Sequence, residues 1–405
     1  MQFFKDLSVS AFTAGFVAVL VGFTSSVAIV FQAALAFGAT PDIIASWMWS
    51  LSIGMGLCTL LPSLWLKKPI MVAWSTPGAA VLAAAGAVGG FNMADAVGAF
   101  MVCALLITLV GATGWFERTM GRIPVALASA LLAGVLTRFA LQGFGAAQTA
   151  LPLVATMVVT YLLGKRWMPR YAVMLTLLIA ILFVAAGAGF KPVNITFGLT
   201  WPVFVAPQFS MGAMVSLTLP LFVVTMASQN VPGVAAIHAA GYDDRRAQGG
   251  DAGIPVSKII TLTGLATLVL APFGAFAMNL SAITAAICMG PEAHPDPKRR
   301  YTAAASCGGI YLVIGVFGAA ITDVLTAFPK ELVAAIAGLA LLGTISSALT
   351  TALKDEPTRE AALITFLVTL SGVVIAGVGA AFWGVVAGAL ALLVQHYRRA
   401  PTPTL

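Results

Sequence analysis

Apolar residues run along nearly the whole of this 405-residue chain, interrupted by short polar stretches that carry almost all of its charge. Apolar runs of about 17–25 residues are long enough to cross a bilayer as helices. The polar breaks mark twelve of them, near 11–37, 43–62, 94–114, 123–145, 147–163, 171–188, 211–238, 255–271, 302–322, 330–350, 359–377 and 379–396. Two further apolar segments, 69–88 and 272–290, are of another kind. Each begins with residues of strand or cap character and leaves only about three turns of helix behind. They read WSTPGAAVLAAAG from position 74 and FAMNLSAITAAICMG from position 276. The pattern predicts an all-α polytopic membrane protein of fourteen segments, the third and tenth broken into a short strand and a half-helix.

The broken segments are related by position. Pro69 opens one and Pro272 the other, a separation of 203 residues. The same offset carries Ser25 in GFTSSVAIVFQAA (22–34) to Ser228 in VTMASQNVPGVAA (224–236), two spans that are polar at mid-depth. Seven segments per half is an odd number, so the second half enters the membrane from the opposite side. Two repeats inverted about an axis in the membrane plane are expected, as in many secondary transporters.

Backbone that leaves helical form at membrane depth strands N–H and C=O groups at several kcal/mol each, and survives only when buried in protein or lining a wet cavity. IMVAWS (70–75) reads as a short extended stretch and AFAM (275–278) as its weaker counterpart. Ser75 or Thr76 offers a cap to the first half-helix. Pro77 then sits in the first turn, where its missing N–H has no partner to lose, with Gly78 behind it. Asn279 or Ser281 offers the same in the second half. In an inverted pair the extended pieces meet near the midplane, and both half-helices aim their N-termini at one spot. Free N–H groups and roughly half a positive charge at each N-terminus make a small anion, such as a carboxylate, the natural ligand. The competing reading is a pair of Gly- and Pro-kinked spans with no ligand. Thr24 and Ser25 in the first span either reach this spot or bond between helices. Gln229 and Asn230, just before Pro232 and Gly233, mark an expected break in the eighth span. Trp74, Phe276 and Phe23 are ring contacts or packing.

Composition agrees with the pattern. The chain is 60% hydrophobic and 9% charged, with mean hydropathy +1.00, against roughly 25% charged residues in soluble domains. The net charge of +7 is a matter of topology. With the N-terminus inside, 18 of the 21 Lys and Arg fall on one side: Lys5, Lys67, Lys68, Arg118, Arg122, Lys165, Arg166, Arg170, Arg245, Arg246, Lys258, Lys298, Arg299, Arg300, Lys354, Arg359, Arg398 and Arg399. Only Lys191 and Lys330 fall outside, and Arg138 lies within a span. This is the positive-inside bias; it places both termini in the cytoplasm and excludes a nucleic-acid footprint. The four cysteines sit singly in apolar segments without metal or redox spacing, so neither metal nor cofactor is expected. MQFFKDLS precedes a long span without a small-residue cleavage site, so no removable signal peptide is expected. Asp95 and Asp323 read as solvated span ends and His238 as structural.

At these residues the chain resembles a known family. The seven-plus-seven arrangement with strands in segments three and ten is similar to the uracil and nucleobase permeases and the related sulfate and bicarbonate transporters. TMASQNVPGVAAIHAAGYD (225–243), WSTPGAA (74–80) and FAMNLSAITAAICMG (276–290) resemble more closely the BenE-type benzoate–proton symporters of bacterial inner membranes. The likeness covers essentially the whole chain. It implies a substrate-carrying core domain (1–122 and 210–328) and a gate domain (123–209 and 329–405), with a homodimer by analogy. It implies import of a small aromatic carboxylate with a proton, without a cofactor. Gln229 and Asn230 match the Glu/Gln–Asn of the nucleobase permease motif, and Asn279 the Asn of the tenth segment. Met278 stands where those permeases use a glutamate; a thioether suits an aromatic face, favouring benzoate over uracil and leaving no residue assigned as proton carrier. The substrate arriving with its own proton is the reading left. Thr24, Ser25, Thr76, Pro77, Gly78, Gln229, Asn230, Met278, Asn279 and Ser281 are the expected substrate-binding residues. The alternatives are a nucleobase or inorganic-anion permease, a passive channel, and a Mg²⁺-dependent lipid-phosphate enzyme built on Asp243, Asp244 and Asp251 with Arg245 and Arg246.

Overall fold

A computed structural model describes residues 2–24, 26–88, 90–120, 124–187, 198–242, 253–318, 328–373, 375 and 380–397. The main elements of the first half are α1 (Val9–Thr24), α2 (Val27–Ala36), α3 (Pro41–Leu66), β1 (Val72–Trp74), α4 (Thr76–Val88), α5 (Met93–Ala112), α6 (Val125–Gly145), α7 (Ala147–Trp167) and α8 (Ala172–Ala186). The second half has α9 (211–239), α10 (Val256–Leu270), β2 (Met278–Leu280), α11 (Ile283–Met289), α12 (Tyr301–Val316), α13 (Lys330–Ala352), α14 (Glu356–Ser371) and α15 (Ala380–Tyr397). Among the described residues, α3, α5, α6, α7 and the rod 256–273 are long and apolar enough to cross a membrane.

Local chemistry sets the ends of these helices. Thr40 Oγ1 accepts from Ile43 N at 3.4 Å to cap α3, with Pro41 at its first position. Asn92 and Asp95 cap α5 reciprocally: Asn92 N donates to Asp95 Oδ2 at 3.1 Å and Asp95 N to Asn92 Oδ1 at 3.0 Å. Ser210 Oγ donates to Asp95 Oδ1 at 3.1 Å. Asp95 is therefore a buried cap and not the solvated span end expected from its position. Both short segments are broken, each a three-residue strand followed by a helix; the first strand falls inside the expected stretch 70–75, whereas the second begins only at the last residue of the expected stretch 275–278 and runs to Leu280.

Two further departures follow from polar residues. The first long segment is not one rod: Ser26 leaves helical geometry at φ −135° between α1 and α2, and its hydroxyl bonds Gly22 O and accepts from Trp74 Nε1, both at 2.9 Å. The eighth is not broken at Gln229–Asn230. It continues through π-helical turns at Met214–Thr218 and Met226–Asn230, which add a residue to the turn and re-aim the side chains there.

The packing is reciprocal between halves. Helix α3 lies along α12 and α10 along α5; α11 packs on α1, and α4 on α9. Helices α6, α7, α8, α13, α14 and α15 pack chiefly on one another, with α6 along α13 at the centre.

Candidate functional site

The strands meet across the halves. β1 and β2 pair antiparallel with Val72 opposite Leu280, Ala73 opposite Asn279 and Trp74 opposite Met278. Beyond the strands, Ser75 N donates to Ala277 O and Ser281 N to Met71 O, each at 3.0 Å. A hydroxyl from a neighbouring helix takes the first N–H of each strand. Val72 N donates to Thr59 Oγ1 of α3 at 3.1 Å, and Met278 N to Thr267 Oγ1 of α10 at 3.2 Å. Val72 and Met278 are 206 residues apart, as are Ser75 and Ser281, three more than the proline spacing indicated. Strand backbone buried between helices thus finds partners without reaching water, as an apolar environment requires.

Both half-helices start beside this ladder, α4 two residues after β1 and α11 three residues after β2, and so from opposite ends of the antiparallel pair, about 10 Å of strand apart. Ser75 is the cap of α4: Gly78 N donates to Ser75 Oγ at 3.1 Å, Ala79 N to Ser75 O at 2.8 Å, and Thr225 Oγ1 to Ser75 Oγ at 2.9 Å. Gly78 also gives Leu221 the space a Cβ would fill. In the other half, α11 begins at Ile283, later than a cap on Asn279 or Ser281 implies. Asn279 lies inside β2, and Thr284 Oγ1 donates to Ser281 Oγ at 2.7 Å. The first backbone bond of α11 runs from Ala286 N to Ala282 O, so the N–H groups of 283–285 precede the helical ladder.

Asn230 is fully buried and holds the crossing together. Its Oδ1 accepts from Leu280 N at 3.0 Å, and its Nδ2 lies 3.3 Å from Met226 Sδ. The close fit depends on Gly233, one turn on, because a Cβ there would sit 2.8 Å from Leu280 O and 3.0 Å from its C. Gly233→Ala is expected to push α9 off the strand, destabilising the protein by about 1–3 kcal/mol; a thermal melt of the purified protein in detergent measures it.

Asn279 is fully buried, and its Nδ2 donates to Ala277 O at 3.4 Å. Its Oδ1 has no hydrogen-bond partner among the described residues, an uncommon state for a buried amide. Met278 turns elsewhere: its Sδ and Cε lie 2.7 Å from where a Cβ on Gly54 of α3 would be. Trp74 stacks obliquely on Phe23, centroids 5.6 Å apart, whereas Phe276 is packed with Trp47 and Phe100 at 5.8 and 6.0 Å. Thr76, Pro77 and Gln229 are half-buried beside the ladder. Ser25 lies outside the described residues, as does the side chain of Thr24. So do Asp323 and the loop carrying Asp243, Asp244, Asp251, Arg245 and Arg246. Sequence reasoning did not find Thr59, Thr225 or Thr267; single threonines in apolar helices carry no signal that separates a strand-holding hydroxyl from one bonded to its own helix. The arrangement presents two helix starts, one unfilled amide acceptor and an aromatic pair around a ladder contributed by both halves.

The family model described as BenE, benzoate membrane transport protein, matches residues 5–394. The inner membrane protein YdcO of Escherichia coli (strain K12) is 45% identical over 383 residues, covering 95% of each chain. The benzoate membrane transport protein of Acinetobacter baylyi is 36% identical over 390 residues, covering 96% of each. Among solved structures, SLC26A9 superimposes with TM-score 0.52 at 10% identity, over 97% of this chain and 66% of that one, a likeness of fold alone. The transmembrane domain of the cyanobacterial bicarbonate transporter BicA gives TM-score 0.44 at 14% identity, over 97% of this chain and 98% of that one.

Proposed function

This chain belongs to the BenE benzoate membrane transport protein family and is a membrane transporter, not an enzyme; we propose that it imports benzoate or a similar small aromatic carboxylate across a bacterial inner membrane, together with a proton. The observation that carries the reading is the paired strands at the crossing, with a half-helix starting on each side and the unfilled Oδ1 of Asn279 between them. The start of α11, whose N–H groups at 283–285 precede the helical ladder, offers donors and partial positive charge to a carboxylate; that of α4 offers chiefly its partial charge, since Gly78 N is bonded to Ser75 Oγ and Pro77 has no N–H. At an exposed terminus such charge is worth roughly 0.3–1 kcal/mol, rising toward 2 when partly buried.

The orphan at Asn279 bears on the proton. Its Nδ2 donates to Ala277 O, which leaves Oδ1, an acceptor, without a partner among the described residues. An acceptor pairs with the O–H of an undissociated acid and repels a carboxylate. A carboxylic acid bound there donates to Asn279 and accepts from the helix N–H groups, and so brings its own proton. No protein carrier is needed.

The remaining parts of the reading follow the packing. We propose fourteen segments in two inverted repeats, supported by the reciprocal helix contacts and the matched Thr59 and Thr267 bonds. A core of 1–122 and 210–328 moves against a gate of 123–209 and 329–405 to give alternating access, with both termini cytoplasmic and a homodimer through the gate. In proteoliposomes, labelled benzoate uptake is expected to saturate, to show counterflow, and to fall when unlabelled benzoate but not uracil or sulfate competes. An outside-acid pH gradient is expected to accelerate it. Uptake indifferent to the gradient removes the symport, and absence of counterflow returns the channel reading.

A further inference from the structure

Away from the crossing, a cavity of about 250 Å³ opens between the two sets of helices. One wall is the end of α9 (Ala236, Ala239, Ala240) with Ala286 and Met289 of α11. The opposite wall carries Leu132 of α6 and Ala348 of α13. These side chains are small or apolar. The charged residue on the lining is Arg300, just before α12.

Arg300 is fastened and yet uncompensated. Its Nε donates to His294 O at 2.8 Å and its Nη1 to Met289 O at 2.7 Å, closing the end of α11. A guanidinium has five N–H donors, so these bonds do not exhaust it. No carboxylate among the described residues pairs with it: Glu292 goes to Lys165, and Asp6 and Asp296 go to Arg299. The neighbouring Tyr242 hydroxyl donates to Pro297 O at 2.8 Å. Burial pushes that phenol up to about 12 against the opposing pull of Arg300, so it stays neutral and supplies no counter-charge. The result is a permanent cation on the wall of a low-dielectric cavity, which concentrates anions.

We propose that this cavity is a second binding site for the aromatic carboxylate, on the side assigned above to the cytoplasm, where Arg300 holds the carboxylate and the alanine walls take the ring. It rests on the transport reading given above and adds a release site that the crossing does not contain. The volume lies just below the range of pockets for drug-sized ligands, as a single-ring acid requires. A guanidinium–carboxylate pair is among the stronger polar contacts available, and an acid that leaves Asn279 and gives its proton to cytoplasmic water arrives here as the carboxylate. The crossing thus takes the acid and the cavity takes its conjugate base.

The test is cysteine protection in the full-length protein in detergent. The four native cysteines are buried, so Ala239→Cys reports on the cavity. Benzoate is expected to slow maleimide labelling of Ala239→Cys at least fivefold, and uracil to leave it unchanged. Arg300→Gln is expected to abolish that protection and Arg300→Lys to keep part of it. Asn279→Ala, which disables the crossing, should leave protection in place. Should Arg300→Gln fail to fold, Ala348→Leu narrows the cavity from the far wall and should raise the half-protecting benzoate concentration at least fivefold. Absence of protection in the parent, protection undiminished in Arg300→Gln, or its loss in Asn279→Ala overturns the site. Protection without benzoate transport by the same protein in liposomes sinks the transport reading and leaves the site standing.

Discussion

Replacing Asn279 by alanine is expected to cut benzoate uptake tenfold or more while the protein still reaches the membrane in normal amounts. Two features set the size of the effect. A buried polar contact to substrate is worth roughly 1–3 kcal/mol, and each 1.4 kcal/mol is a factor of ten in rate. The side chain contributes little to the fold, because its Oδ1 has no partner among the described residues and its one bond, to Ala277 O, is long at 3.4 Å. Asn230 is the contrasting neighbour. Its amide accepts from Leu280 N, so Asn230→Ala leaves a buried N–H unpaired and should lower expression and thermal stability together. Asn279→Asp separates the two modes of recognition. It keeps the size of the side chain but adds negative charge at the position proposed for the substrate carboxyl group, so it should lose more than alanine does. Initial rates in proteoliposomes, corrected for protein amount, measure the two Asn279 variants; membrane yield and a thermal melt measure Asn230→Ala. Uptake in Asn279→Ala within twofold of wild type would show that the orphaned amide plays no part in transport.

How far the sequence reached differs from one residue to the next. The broken segments were legible because apolar length is itself a signal: a run too short to cross, opened by Ser75–Thr76–Pro77, has few other uses. Ser75 was legible as one of two candidate caps, beside Thr76, because capping is decided within three residues, and Gly78 N bonds it. Asp95 was equally local, an Asn-x-x-Asp pair, yet its place at a span end concealed the burial that makes it structural. Partners beyond a few turns of helix were illegible. Nothing near Thr59, Thr267 or Asn230 tells that each will hold a strand N–H 13, 11 and 50 residues further along the chain. The role of Met278 was judged from its alignment with a glutamate in related permeases. Its direction depends on Gly54, more than two hundred residues away, whose missing side chain makes room for the thioether. The π-helical turn at Met226–Asn230 was readable only as an irregularity, because Pro232 and Gly233 look the same whether a helix ends or adds a residue.

Lys165→Met is expected to destabilise the protein and slow transport, and adding Glu292→Gln should restore most of the stability but not the rate. Lys165 lies in the last turn of α7, and Glu292 three residues beyond α11, on opposite sides of the proposed division between gate and core. Their Nζ–Oε1 distance is 3.0 Å. The carboxylate is 9% exposed, and its second oxygen has no partner among the described residues. It fits only because Gly343 of α13 carries no side chain: a Cβ there would lie 2.9 Å from Glu292 Cδ. Removing one partner of a buried pair costs about 3–5 kcal/mol, and less here because Lys165 is 36% exposed and solvent screens it. Removing both charges relieves the stranded carboxylate, so the double variant should be more stable than Lys165→Met alone, with a coupling of at least about 1 kcal/mol. The rate is a separate matter. A contact made across two bodies that slide must break once per cycle and holds one end state against the other, so its loss shifts the populations even when stability returns. Thermal melts and uptake rates of the four proteins, wild type, both single variants and the double, form the cycle. Strictly additive melts would mean that the pair is not energetically coupled, and normal uptake in the double variant would mean that the contact does not cross a moving boundary.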